Sequence, residues 1–239
     1  EPLFVLLSSL LRTFNMPFEV LSACLIGLVF FNLYGTLKEF SVDVSLSIFI
    51  YFSLFFLTNN LNIVRHGVMV SFVWQAFRFS FTGNNRKTII NIVFAGLFHY
   101  VGFLFFILCL IGHKKLPFIF YAIILIISFY LSYSAEFLHD FIARYLGGIG
   151  KIDYYLNGAE SGELGDVAFT VGLYANICIF FISFFFLKDK LSVFLYNILF
   201  FGIISFLIFN VFNAFAARIA GVFYIANFFL FPVIVQFFK

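Results

Sequence analysis

The sequence predicts an all-α polytopic membrane protein, and three observations carry that reading. Hydrophobic residues make up 64% of the 239 and charged residues 10%, against roughly 25% charge in a soluble domain, so this composition cannot supply a water-facing surface. Apolar stretches near the length of a bilayer-crossing helix, about 20 residues, recur along the whole chain. Only one long polar stretch, 138–167, interrupts them. The 43 Phe read as lipid-facing filler, and the net charge of +3 gives no reason to expect a nucleic-acid partner.

The elements follow in order. The chain starts at Glu1 with no basic n-region and no cleavage site, so its first residues are not a signal peptide; the expectation is that processing or truncation removed what preceded it. Residues 2–11 are apolar but too short to span and are stopped by Arg12, which places them at an interface. Pro17 opens a first span at 18–37, since proline suits a helix start. Further spans are expected at 44–63 and 65–82. Residues 88–112 form one apolar stretch with Gly96, His99 and Gly102 near its middle. Spans at 117–137, 168–187, 191–212 and 217–238 complete the set. The whole of 1–239 then reads as a single transmembrane domain of about seven helices plus one re-entrant or broken pair, with 138–167 as an outer loop.

Lys and Arg set the orientation. Lys38, Arg86, Lys87, Lys114, Lys115, Lys188, Lys190 and Lys239 fall in one set of short loops, eight of the fourteen basic residues, and these mark the cytoplasmic side. Arg12, Arg65, Arg144, Lys151 and Arg218 fall on the other. Arg78 lies about a turn from the inner end of the third span, where a long side chain can snorkel to the headgroups. This assignment requires an even number of crossings between Arg86 and Lys114. Twenty-five residues cannot cross twice, but two half-helices of about 10–12 residues, each rising roughly 15–18 Å, form a hairpin with its tip near His99. Irregular backbone at that depth is tolerated only inside protein or beside a watery cavity. The alternative is one tilted span with inverted topology after it, which would put 138–167 in the cytoplasm.

Ionisable residues within membrane segments suggest function by default. Arg65 and His66 lie where the second span turns into the third, in a stretch rich in Asn that includes Asn62. Arg218 sits at the outer end of the last span beside Ala214, Ala216 and Ala217, whose small side chains leave room around a guanidinium. Arginine offers a planar fork for bidentate contact with phosphate. An arginine anchored to lipid headgroups is the plain alternative for either one alone. His99 is a candidate base because imidazole titrates near working pH, with a buried neutral histidine as the alternative. In 138–167, Phe141, Ile142, Tyr145 and Leu146 recur at helical spacing around Arg144, as in a helix lying on a membrane. Tyr154 and Tyr155 precede Glu160, Glu163 and Asp166; aromatics and carboxylates together can hold sugars, although an ordinary solvated loop fits the composition equally. Cys24, Cys109 and Cys178 stand singly in apolar runs, with no metal or redox spacing. The sequence carries no phosphate-binding glycine loop, no serine-nucleophile elbow and no internal repeat.

Four patterns in fixed order carry a resemblance. They are Glu1-Pro2-Leu3-Phe4, Asn62-Ile63-Val64-Arg65-His66-Gly67, Gly96-Leu97-Phe98-His99-Tyr100, and Ala217-Arg218-Ile219-Ala220-Gly221-Val222-Phe223-Tyr224. Together they resemble bacterial polysaccharide polymerases of the Wzy/EpsG type. Leu3 stands in place of the usual Gly, His66 in place of a common Gln, and Tyr100 and Val101 in place of small polar residues. The resemblance runs over essentially the whole chain. It implies that the chain corresponds to the C-terminal two-thirds or so of such a protein, with further N-terminal spans missing.

The resemblance implies a GT-C-like helical fold and glycosyl transfer at the outer face of the bacterial inner membrane. A growing glycan on undecaprenyl diphosphate moves onto a lipid-linked repeat unit, with no nucleotide sugar. Arg65 and Arg218 would stabilise the departing diphosphate, removal of one such donor typically costing about 10²–10³ in rate. His99 would take the acceptor proton, with His66 and Glu1 as other candidates. Glu1, His66, Asn62, Arg144, Tyr154 and Tyr224 are expected to contact substrate. No cofactor or metal is called for, because arginines can supply a metal's charge. The expected partners are the undecaprenyl-diphosphate-linked oligosaccharide, membrane lipid, and a chain-length regulator or flippase of the same pathway. Two other functions fit the same arginines. One is a flippase or transporter of the lipid-linked oligosaccharide, which often shows pseudo-symmetric halves. The other is an O-antigen ligase-like glycosyltransferase.

Overall fold

The computed structural model describes residues 1–53, 56, 64–110, 114–134, 144, 171–210 and 213–237. Among these every regular element is helical. In chain order they are α1 (Pro2–Thr13), α2 (Phe18–Phe40), α3 (Val44–Tyr51), α4 (Val64–Phe81), α5 (Asn85–Phe98), a 3₁₀ helix (Tyr100–Leu110), α6 (Phe118–Tyr133), α7 (Val171–Phe184), α8 (Lys190–Phe209), α9 (Asn213–Tyr224) and α10 (Ala226–Phe237). Two of them, α2 and α8, are each long and apolar enough to cross a membrane, and α9 with α10 forms a third such stretch if the pair is one span bent by 40°. Together with the shorter apolar helices α1, α6 and α7, they mark a membrane protein.

Short-range chemistry sets the helix ends. Pro2 occupies the first turn of α1, where a missing N–H costs nothing. Asn15 takes a positive φ of 52° in the turn between α1 and α2, a conformation that Asn adopts more readily than most residues. Asp43 caps α3 by accepting from Leu46 N–H at 3.0 Å. The α4–α5 turn combines a stop and a start. Gly83, at φ 74°, lets Asn84 N–H reach back to Phe79 O at 2.8 Å, a glycine-terminated helix end. Asn84 then caps α5 by accepting from Lys87 N–H at 3.1 Å.

The chain divides into two compact units. The first comprises Glu1–His113, Phe186–Leu195 and Phe228–Lys239, and the second Lys114–Phe185 and Tyr196–Asn227. In the first unit α4 is central: every residue from His66 to Phe77 except Phe72 is buried. The enclosed stretch carries His66, Ser71 and Gln75 as well as apolar side chains, so α4 lies inside protein. Trp74 packs on Phe77, Phe229 and Phe228, with ring centroids at 4.9, 5.2 and 5.9 Å. Phe40 meets Phe229 edge-on at 5.7 Å. Polar side chains join α2 to α4: Asn32 Nδ2 donates to Ser71 Oγ at 3.1 Å, and Gln75 Nε2 donates to Asn32 O. Hydrogen bonds and small residues are the usual glue between membrane helices, where lipid is as apolar as leucine. At the far end of this seam Arg78 pairs with Glu39, so its charge is met by a carboxylate from α2 as well as by any headgroup it reaches.

Pro232 lies inside α10 and cannot donate to the carbonyl of Phe228 four residues back. Ser47 of α3 takes that place, its Oγ donating to Phe228 O at 2.7 Å in a fully buried contact. In the second unit, Tyr121 of α6 is ringed by Phe200, Tyr196 and Phe180 at 4.8, 5.2 and 5.7 Å. Its hydroxyl donates to Asn197 Oδ1 at 2.6 Å and accepts from Leu116 N–H at 3.3 Å. Gly202 lets α8 and α9 approach closely: a Cβ there would meet Phe223 Cβ at 2.7 Å.

Several expected spans differ in detail. The first runs three residues past its expected end, to Phe40. The second is helical over Val44–Tyr51, and much of its remainder lies outside the described residues. The 88–112 stretch is not one continuous helix, because α5 ends at His99, whose backbone is extended at φ −151°, ψ 120°. A 3₁₀ segment of eleven residues follows, long for that form and a sign of local constraint. The last expected span, 217–238, breaks between α9 and α10. Hydropathy runs straight through that break, since from Ile225 to Leu230 only Asn227 is polar.

Candidate functional site

The break at His99 is built from glycines. Gly102 N–H donates to His99 O at 2.7 Å, and the chain doubles back. A Cβ on Gly102 would stand 2.7 Å from Ala95 O, and one on Gly96 would run into the Phe103 ring. Only hydrogen fits at either position, so the two glycines permit the reversal. It leaves His99 at the tip, 7% exposed.

Two other segments converge on that tip. Glu1 immediately precedes α1, and Arg65 lies in the first turn of α4. Each has an apolar neighbour in one packed cluster. Leu21, Leu25, Val29, Val68 and Phe98 are its buried core, with Leu3, Phe4, Leu7, Leu11 and Val64 packed against it. The spacing of Leu3, Leu7 and Leu11 places them on one face of α1. Val5, Leu6 and Leu10 of the same helix are exposed, so α1 also presents apolar side chains outward, as suits a helix within or against a membrane.

The polar groups stand directly above this cluster. Glu1 Oε2 pairs with Arg65 Nη1, and Glu1 Oε1 lies 3.7 Å from His99 Nε2. The Arg65 side chain is 47% exposed and that of Glu1 16%. The guanidinium sits over the Phe4 ring at 5.1 Å, within cation–π range. His99 Nδ1 accepts from Val101 N–H at 3.4 Å. An accepting Nδ1 puts the proton of the neutral ring on Nε2, which points it at Glu1. Tyr100 stacks on His99 at 5.0 Å, and His66 meets it edge-on at 5.7 Å.

The first unit thus brings together Glu1, Arg65, His66 and His99. Arg218 and Tyr224 belong to the second unit. Arg218 is half-buried in the second turn of α9, and the Tyr224 ring lies against Gly202. Arg144 is exposed. Asn62, Tyr154 and the expected surface helix around Arg144 lie outside the described residues. Two contributors were not singled out from sequence: Phe4 beneath Arg65 and Tyr100 against His99. Tyr100 adjoins His99 in the chain, but among 12 Tyr and 43 Phe such adjacency has no contrast, and Phe4 meets Arg65 only through the fold. Among the described residues no cluster of three or more His, Cys, Asp or Glu is arranged to hold a metal ion.

The chain belongs to the EpsG family, whose model matches residues 1–239, its full length. That membership supports a polysaccharide-polymerase type of role and a place in a membrane. No curated protein and no solved structure matches the chain.

Proposed function

We propose that this member of the EpsG family polymerises lipid-linked oligosaccharide repeat units at the outer face of the bacterial inner membrane, as a multi-pass, GT-C-like glycosyltransferase. The donor is a glycan on undecaprenyl diphosphate, and the acceptor is a hydroxyl of another lipid-linked unit. The observation that carries this reading is the convergence of Glu1, Arg65 and His99, from three separate chain segments, on one partly exposed cluster.

A diphosphate is already a good leaving group and needs cations more than an acid. Arg65 offers a half-exposed guanidinium, which stabilises the negative charge that builds on the diphosphate as its bond to the sugar breaks. Arg218 is a further candidate for phosphate contact on its sequence setting alone. The acceptor hydroxyl needs a base within about 3 Å, and His99 with Glu1 provides it. No metal is required, because the arginines carry the charge that a divalent ion would supply.

Arg65→Ala and Arg218→Ala, each in the full-length protein in its own strain, test the proposal on a gel of the surface glycan, with membrane protein levels measured alongside. Collapse of the ladder to single repeat units at constant protein level supports it, since repeats are then exported but not joined. An unchanged ladder in both variants makes the arginines headgroup anchors and overturns the site. Release of undecaprenyl diphosphate separates an enzyme from a flippase.

A further inference from the structure

Glu1 commits each of its oxygens to a different partner. Oε2 is bound by the Arg65 guanidinium, and Oε1 faces the proton-bearing Nε2 of His99 at 3.7 Å. In this state both residues are engaged. Glu1 is neutralised by a cation, and the one lone pair on the His99 ring is occupied at Nδ1 by Val101 N–H. We propose that Glu1 is an anion-released base: the donor diphosphate takes Arg65 from Glu1, and the freed carboxylate, beside His99, accepts the proton of the acceptor hydroxyl. The inference rests on the reading of Arg65 as the cation for the donor diphosphate.

Three features support the exchange. The Arg65 side chain is 47% exposed and that of Glu1 16%, so an incoming anion meets the guanidinium first. A diphosphate carries more charge than a carboxylate and can use both prongs of the fork. An ion pair this exposed is worth only about 0.2–1 kcal/mol and yields readily to such a competitor. Losing the guanidinium leaves Glu1 Oε2 open to an acceptor hydroxyl. Donor binding therefore switches the base on, and without donor Glu1 stays neutralised. Tyr100 stacked on the His99 ring and His66 at its edge fix the plane in which Nε2 faces Glu1.

The step balances. The acceptor O–H breaks, and its proton passes to Glu1. The acceptor oxygen bonds to the anomeric carbon, and the bond from that carbon to the diphosphate oxygen breaks. The electron pair stays on the diphosphate beside Arg65. When the lipid diphosphate leaves, Glu1 loses its proton to water and returns to Arg65.

Inorganic pyrophosphate is the probe, titrated calorimetrically into the full-length protein in detergent. Glu1→Gln removes the competing charge with almost no change in shape. It is expected to bind pyrophosphate about 1.5- to 5-fold tighter than wild type, the fold-change that corresponds to an exposed ion pair. The same variant is expected to lose about 10²–10⁴-fold in joining rate, while Glu1→Asp, which keeps the carboxylate, retains part of it. Unchanged or weaker pyrophosphate binding in Glu1→Gln overturns the release mechanism, and near-wild-type joining overturns Glu1 as the base. Wild-type pyrophosphate affinity in Arg65→Ala overturns the underlying diphosphate reading itself, a separate result from either of these.

Discussion

Replacing Gly102 with alanine probes the reversal that puts His99 at the site. A Cβ there would stand 2.5 Å from Gly96 N and 2.7 Å from Ala95 O. Unstrained contacts of this kind need about 3.5 Å, so the two segments must part by about 1 Å. Both are main chain. One is held by the hydrogen bonds of α5 and the other by Gly102 N–H to His99 O at 2.7 Å, so neither can rotate aside. Overpacking typically costs about 1–3 kcal/mol, and rigid neighbours put Gly102→Ala near 3 kcal/mol on that scale. The same shift breaks the contact from Val101 N–H to His99 Nδ1, already 3.4 Å long, and displaces Nε2 from Glu1. Misplacement by about 1 Å can cost about 10²-fold in rate. Trp74 is the single Trp of the chain and is 1% exposed, so its fluorescence follows melting of the first unit in detergent. The expected result is a lowered melting temperature and a shortened glycan ladder. Gly27→Ala is the control, with nothing within 4 Å of the added Cβ and up to about 1 kcal/mol of helix propensity to gain. A Gly102→Ala protein with wild-type melting and a wild-type ladder would refute the doubled-back packing of the chain on Ala95.

Three further outcomes follow from the packing. Ser47→Ala strips the partner from Phe228 O, which Pro232 cannot replace; a loss of about 1–3 kcal/mol is expected, read from Trp74 fluorescence in denaturant, and Ser47→Thr should recover part of it. Tyr121→Phe keeps the aromatic contacts but leaves Asn197 Oδ1 and Leu116 N–H without the hydroxyl. It should cost about 1–3 kcal/mol in thermal stability while Tyr130→Phe, at an exposed ring, changes nothing measurable. Phe4→Leu removes the ring beneath Arg65 and should weaken pyrophosphate binding modestly, in line with about 0.5–1 kcal/mol for an exposed cation–π contact; equal binding would mean that the ring does not hold the guanidinium.

The amino-acid sequence by itself determined the elements. Composition demanded lipid, Pro17 marked a helix start, and the parity of basic loops asked for a break in 88–112. The structure has that break at His99, between Gly96 and Gly102. These signals are local, carried by one residue's φ, one missing N–H, or a run of like side chains. What faces what is not local. In a soluble protein an apolar stripe points to the core, but here lipid and core are equally apolar, so the pattern on α4 could not show that nearly all of it is enclosed. Arg78 has the composition of a snorkelling cation, and only the placement of Glu39 beside it reveals an ion pair. The break in the last span falls within an apolar run that hydropathy reads as continuous. Glu1, Arg65 and His99 each stood out in the sequence, yet their meeting depends on α1, α4 and α5 packing together through Leu3, Phe4, Val68 and Phe98. Such contacts are fixed by shape, and periodicity along a chain holds no record of which shapes will meet.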